Sequence, residues 1–273
     1  MQSTKVNGVD IEYEVSGSGE PLLLISSVIA DGFTPLLSDP ALADRYKLIS
    51  YHRRGWVGST PTAMPVSVAD HAADAAALLA YLGAPRVHVA GHSTGGVIAA
   101  ELALEQPAVV QTLVLLEPFV LSVPTGEATL QQAAPAFEAY GNGDHEGAWA
   151  IFLSAASGLD WAACRAVLED RIPGVVAQAV KDADTLFGVE LPAMAAWAFG
   201  PERAAGIRCP VLSVLGSDTL PLFTEVAALL RSSLPNVEEC TIDGVGHLLH
   251  IQRPGPVADG ISEFLRNHPR IGN

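Results

Sequence analysis

The chain has 273 residues, 49% of them apolar, which suffices for one large α/β domain or for a core with an insert. A net charge of −15 and a pI of about 4.8 argue against nucleic acid or an anionic membrane surface as a partner. Cys164, Cys209 and Cys240 are odd in number and widely spaced, with neither a CxxC pair nor a metal pattern, so they read as free thiols in a reducing compartment.

The opening Met1-Gln2-Ser3-Thr4-Lys5-Val6 has no apolar signal-peptide core. No stretch approaches the roughly 20 apolar residues of a membrane span, so a cytoplasmic protein is expected. Residues 5–9 and 11–15 read as strands around the tight turn Asn7-Gly8. The run Leu22-Leu23-Leu24-Ile25 is the mark of a strand buried on both faces. A loop, a short helix near 36–43 and a buried strand at 46–51 follow. His52-Arg53-Arg54-Gly55-Trp56-Val57-Gly58-Ser59 is a loop. Residues 67–82 form a helix whose Ala72, Ala75, Leu79 and Leu82 face inward, with Asp70 and Asp74 toward water. Gly83-Ala84-Pro85 ends it.

Next comes a strand at 86–90, a sharp turn, a helix to about 106 and a strand at 112–116. This alternation implies a mostly parallel sheet covered on both faces. From about 124 to 204 the rhythm changes to four helix-like segments with no strand, rich in Ala and aromatic residues, including Phe187 and Trp197. They read as a helical insert over the sheet. The alternation then returns with a strand at 211–215, a helix near 223–231, a strand at 238–242 and a last helix at 257–267. The domain division expected is a core of 1–119 and 205–273 with a cap of 120–204.

Gly91-His92-Ser93-Thr94-Gly95 lies between strand and helix and fits G-x-S-x-G, the nucleophile elbow. Small residues flank the serine because strand and helix nearly touch there, and the turn presents Ser93 Oγ above the sheet. A serine hydroxyl needs a general base, for which histidine suits. His247, in the Gly-rich loop Asp243-Gly244-Val245-Gly246-His247, is the best placed, with His250 as the fallback. His88 reads as a core histidine. A carboxylate must hold the base, and there are two candidates. Glu117 ends the strand after the elbow helix, in Leu116-Glu117-Pro118, where Pro118 favours an extended backbone. Asp218 follows a later strand, in Gly216-Ser217-Asp218-Thr219. An oxyanion hole needs backbone N–H groups. The amide of Thr94 at the helix start is one, and Val28, in the loop after Leu22-Leu23-Leu24-Ile25, is the positional choice for the other.

Together these pieces resemble the α/β-hydrolase fold family across nearly the whole chain. The resemblance implies an eight-stranded, mostly parallel sheet flanked by helices, with a helical cap inserted after strand six. It carries the nucleophile to Ser93, the base to His247 and the oxyanion amides to Val28 and Thr94. The chain departs from the family pattern at three places: Ser26-Ser27 stands where His-Gly is frequent, His52-Arg53-Arg54-Gly55 replaces Asp-x-x-Gly, and Thr219 occupies the usual acid position, one place after Asp218. Leu116-Glu117-Pro118 resembles the subset with a Glu acid after strand six, as in zearalenone-type lactonases, which favours Glu117 over Asp218.

The expected activity is hydrolysis of a small, fairly apolar ester or lactone by a monomer or homodimer, with Trp197 and Phe187 on the pocket wall and no cofactor or metal. A carbon–carbon bond hydrolase or a cofactor-free oxygen enzyme on the same scaffold is the alternative, and a non-catalytic binding module the more distant one.

Overall fold

The computed structural model describes residues 1–62 and 65–269. Strands β1 (Gln2–Val6) and β2 (Val9–Gly17) form a hairpin whose turn residues Asn7 and Gly8 have φ of +47° and +82°, which a twisted two-residue turn requires. β3 (Glu20–Ile25) follows. The helix expected near 36–43 is two short ones, α1 (Thr34–Leu37) and α2 (Pro40–Ala43). The Asp39 side chain accepts the Ala41 N–H and starts the second helix, which is why the two do not fuse.

β4 (Tyr46–Tyr51) leads through the 52–59 loop to α3 (Val68–Tyr81), whose N-terminus carries a capping box between Ser67 and Asp70. β5 (Val87–His92), α4 (Thr94–Glu105) and β6 (Val110–Leu116) complete the first half. After the insert come β7 (Val211–Gly216), a helix at Pro221–Ser233 and β8 (Val237–Ile242). Two last helices, Leu249–Gln252 and Pro254–Asn267, end the described chain.

The eight strands form one sheet in the order β1-β2-β4-β3-β5-β6-β7-β8. β2 runs antiparallel to β1 and β4, and every other pairing is parallel. β3, β5 and β6 lie inside it and are almost wholly buried, in keeping with their mostly apolar sequences. One apolar cluster joins one face to α3 and α4, and another joins the opposite face to α1, α2 and the C-terminal helix.

Asp74 departs from expectation. It is buried on α3 and accepts from Arg54 at 2.6 and 2.7 Å and from Asn7 at 3.0 Å. A helical period places a residue on a face but does not show what another loop brings to that face.

Between β6 and β7 the described residues form helices and no strand: α5 (Gly126–Gly141), α6 (His145–Ser157), α7 (Trp161–Arg171), α8 (Val175–Lys181), α9 (Ala183–Thr185), a π-turn (Leu186–Glu190), α10 (Leu191–Ala196) and α11 (Pro201–Ala204). The segments are more numerous than the four expected. Pro192, lacking an N–H, cannot continue a regular ladder out of the π-turn. A third apolar cluster ties this insert to Val28, Ile29 and Trp56 of the core loops and to Leu248 and Ile251 beyond His247. No single helix among the described residues is long and apolar enough to cross a membrane.

Candidate active site

Ser93 sits between the last residue of β5 and the first of α4 with φ +53° and ψ −119°, a conformation L-residues rarely hold. Hydrogen bonds keep it there. Its N–H donates to Leu116 O at 3.0 Å, and its carbonyl accepts from Gly96, Val97 and Phe119. Side chains cannot replace the two glycines of the motif. A Cβ on Gly91 would come within 2.3 Å of Gly95 O, and one on Gly95 within 2.1 Å of Ile25 O. The elbow is thus pressed against both its own helix and the end of β3.

His247 Nδ1 lies 2.8 Å from Glu117 Oε2. The other carboxylate oxygen, Oε1, accepts the Gly216 N–H at 2.8 Å, and the Glu117 N–H donates to Val214 O at 3.1 Å. Glu117 is wholly buried and is held at the ends of β6 and β7 by its own side chain and backbone. Its φ is +43°, so the extended backbone expected from Pro118 does not occur. This turn aims the carboxylate across the tip of β7 toward the loop after β8. Asp218 is elsewhere: it accepts from Ser217 Oγ at 2.9 Å in an exposed position, and its N–H donates to Val245 O.

The loop that carries His247 is fixed from two sides. His92 donates its Nε2–H to His247 O at 2.9 Å. The Phe223 ring stacks on the His247 imidazole with centroids 4.1 Å apart and planes 8° from parallel. Neither contact was legible in the sequence, since both join segments far apart in the chain. His250 is buried against His92 and Phe33, and its Nδ1 has no hydrogen-bond partner among the described residues. Burial, then the neighbouring His247, lowers the His250 imidazole to about 3. Burial also drives His92 well below the ordinary range, aided by His250 and His247. Both rings therefore stay neutral near pH 7. His88 bridges Thr112 and Glu20 at 2.8 and 2.9 Å inside the sheet. His52 bridges Glu12 and Asp31, each at 3.0 Å; burial lowers its affinity for a proton, but the two carboxylates outweigh this and raise it.

Thr94 opens α4, where the first N–H groups have no intrahelical partner. Val28 is buried in the cluster shared with the insert. The start of the loop that carries Val28, directly after β3, is held by Arg53, which donates to Ser26 O and, at 3.1 Å, to Ser27 O. The same guanidinium pairs with Glu190 of the π-turn at 2.7 Å.

A cavity of about 310 Å³ opens between the insert and the core, lined among others by Phe119, Phe137, Phe152, Leu191, Leu222 and Phe223. No ionisable side chain lies among its lining residues. Two of its lining residues touch the site: Phe223 stacks on His247, and the Phe119 N–H donates to Ser93 O. The structure places Phe187 and Trp197 elsewhere. Phe187 is buried at the centre of an aromatic cluster with Phe137, Tyr140, Trp149 and Phe152. Trp197 stacks on Phe199 and donates Nε1–H to Glu101 at 3.0 Å, beside a separate cleft. Aromatic content marked the insert as a wall but could not say which rings face inward.

A model of the alpha/beta hydrolase fold matches residues 26–254. The chain belongs to the α/β hydrolase family and is an enzyme of that family. It is 29% identical over 249 residues to a putative carbamate hydrolase RutD of Azorhizobium caulinodans, covering 90% of this chain and 91% of that protein. Among solved structures it is similar to an N-acyl homoserine lactone degrading enzyme, with TM-score 0.72, 25% identity and coverage of 98% and 100% of the two chains. A thermophilic esterase from Thermogutta terrifontis shares the fold, with TM-score 0.77, 20% identity and coverage of 98% and 97%.

Proposed function

We propose that the protein is a serine hydrolase that cleaves a small, fairly apolar ester or lactone through an acyl-enzyme intermediate. The observation that carries this reading is the 2.8 Å contact of His247 Nδ1 with the buried Glu117 carboxylate, beside a serine held in a strained elbow. In this reading His247 Nε2 takes the Ser93 proton as Oγ attacks the substrate carbonyl. Glu117 accepts the Nδ1–H and balances the imidazolium. The Thr94 and Val28 N–H groups receive the negative oxygen of the tetrahedral intermediate.

Collapse expels the alcohol, which takes the proton from His247. Water then gives a proton to His247 as it attacks the acyl carbon, and His247 returns that proton to Ser93 Oγ as the acid leaves. In a lactone the alcohol and acyl group belong to one molecule, and the product is a hydroxy acid. The cavity, free of ionisable side chains, supports an apolar acyl or alcohol group.

A serine at the elbow, rather than an aspartate, speaks against chemistry through an alkyl-enzyme ester. The likeness to a putative carbamate hydrolase supports a second reading, carbamate cleavage by the same groups. A fluorophosphonate probe with mass mapping of the labelled residue tests the nucleophile. A panel of p-nitrophenyl esters, lactones and carbamates of graded chain length then separates the substrate classes. Label on a residue other than Ser93 would overturn the proposal.

A further inference from the structure

Arg53 and Glu190 form an ion pair with side chains only 2% and 1% exposed. Arg53 Nη2 lies 2.7 and 2.8 Å from the two Glu190 oxygens and shares one N–H between them, Nε–H donates to Oε2 at 3.3 Å, and Trp56 Nε1–H donates to Oε2 at 2.8 Å. Burying two charges costs so much solvation that such a pair is often no more stabilising than apolar residues of the same volume. Its geometry suggests what else it does.

The second Nη2 N–H and an Nη1 N–H of Arg53 reach two successive carbonyls, Ser27 O at 3.1 Å and Ser26 O. Ser27 C=O and Val28 N–H belong to one planar peptide unit, and no peptide bond among the described residues is cis. In a trans unit the two groups point in opposite directions. Holding Ser27 O on Arg53 therefore turns the Val28 N–H away from the guanidinium. On its other side the same loop lies against the elbow: a Cβ on Gly95 would meet Ile25 O at 2.1 Å and Ser26 O at 2.5 Å. The loop is clamped between the helix that starts after Ser93 and the Arg53 fork.

We propose that Arg53 is a positioning residue for the oxyanion site, aiming the Val28 N–H through the Ser27 carbonyl, and that Glu190 of the insert holds Arg53 in that pose. Seating the insert and organising the oxyanion donor are then one event. Two further bonds join the same elements: Thr185 Oγ1–H donates to Gly55 O at 2.7 Å, and Val57 N–H to Asp182 Oδ1 at 3.4 Å. The inference rests on the proposed role of the Val28 amide.

The test compares wild type with Arg53→Met/Glu190→Gln, which removes both charges together so that neither is left buried and alone. Readouts are the melting temperature, kcat and KM on a p-nitrophenyl ester, and the Ki of a trifluoromethyl ketone beside its methyl ketone isostere. A lost oxyanion donor lowers kcat by about 100- to 1000-fold, and a misaimed one is expected to lower it about 10- to 100-fold. KM and methyl ketone binding should stay within about 3-fold, while trifluoromethyl ketone binding weakens with kcat.

A folded variant with kcat and trifluoromethyl ketone affinity near wild type overturns the proposal, as does equal weakening of both ketones. Should that variant not fold, Glu190→Gln alone is read by the same ratio of the two ketones. Ser93→Ala is assayed alongside. If it stays active, the catalytic reading itself fails, which is a separate result from an Arg53 variant that performs like wild type.

Discussion

Glu117 and His247 stand 130 residues apart in the chain and meet at 2.8 Å, with the Gly216 N–H occupying the other oxygen of the carboxylate. Glu117→Gln keeps the shape but cannot balance an imidazolium and can favour the wrong tautomer. The expected loss in kcat is about four orders of magnitude, the loss seen when the aspartate of a serine-protease triad is made asparagine. Asp218→Asn, at an exposed loop position, should change kcat less than about 3-fold, since the Asp218 carboxylate accepts from the neighbouring Ser217 hydroxyl and the backbone bond to Val245 survives the change. Steady-state kinetics of the two variants side by side check this, and a severe loss in Asp218→Asn alone would reverse the assignment.

Ser93 combines function with strain. Ser93→Ala should abolish hydrolysis with little change in stability, because Cβ and the φ of +53° remain. Ser93→Gly should be equally inactive yet at least as stable as Ser93→Ala, because glycine tolerates this backbone while strain of this kind costs about 1–3 kcal/mol. Urea denaturation of the two variants measures the difference. A glycine variant clearly less stable than the alanine one would show that the strain is not stored there.

Phe223 touches both the imidazole and the cavity. Phe223→Leu removes the flat surface that keeps His247 in plane while leaving the site apolar. It should lower kcat by about 10-fold and also shift acyl-chain preference, at a stability cost of about 1–2 kcal/mol. The chain-length profile and a thermal melt report these separately.

Ala156 lines the same cavity from α6. Ala156→Leu should shorten the longest acyl chain accepted, with short-chain esters turned over at rates within about 3-fold of wild type. Trp197→Ala, away from this cavity, should instead cost about 3–5 kcal/mol of stability and leave the chain-length profile unchanged. A selectivity change in Trp197→Ala would place substrate in the other cleft.

Stability should fall on mild acidification. Burial lowers His71 to about 4 and His250 to about 3, and His92 well below its ordinary value. Between about pH 4 and 6.5 the unfolded chain takes up protons that the folded one refuses, so stability rises with pH across that window and is fully present above it. His52, raised on folding, has the opposite sign: it adds stability at low pH that is lost as pH rises through its folded value. His71→Leu removes one contributor and should flatten the slope between pH 5 and 6 by about 1 kcal/mol per pH unit. Denaturant midpoints at the two pH values decide it, and an unchanged slope would show that His71 is protonated in the folded protein.

Much of this protein was written locally. The runs of β3, β4 and β6 and the glycines around Ser93 are short-range features, because hydrophobic period and backbone crowding act within a few residues. They were enough to place the sheet, the elbow and the loop of His247. Only the tertiary structure decided which carboxylate reaches His247, because that depends on the pairing of β6 with β7 and on a positive φ at Glu117 that the following proline gave reason to reject. Likewise Arg53, read only as part of a loop, and Asp74, expected to face water, are buried because Glu190 and Arg54 arrive from distant segments to pair with them. A buried charge is tolerable only once its partner is in place, and that partner is chosen by the packing of the whole chain.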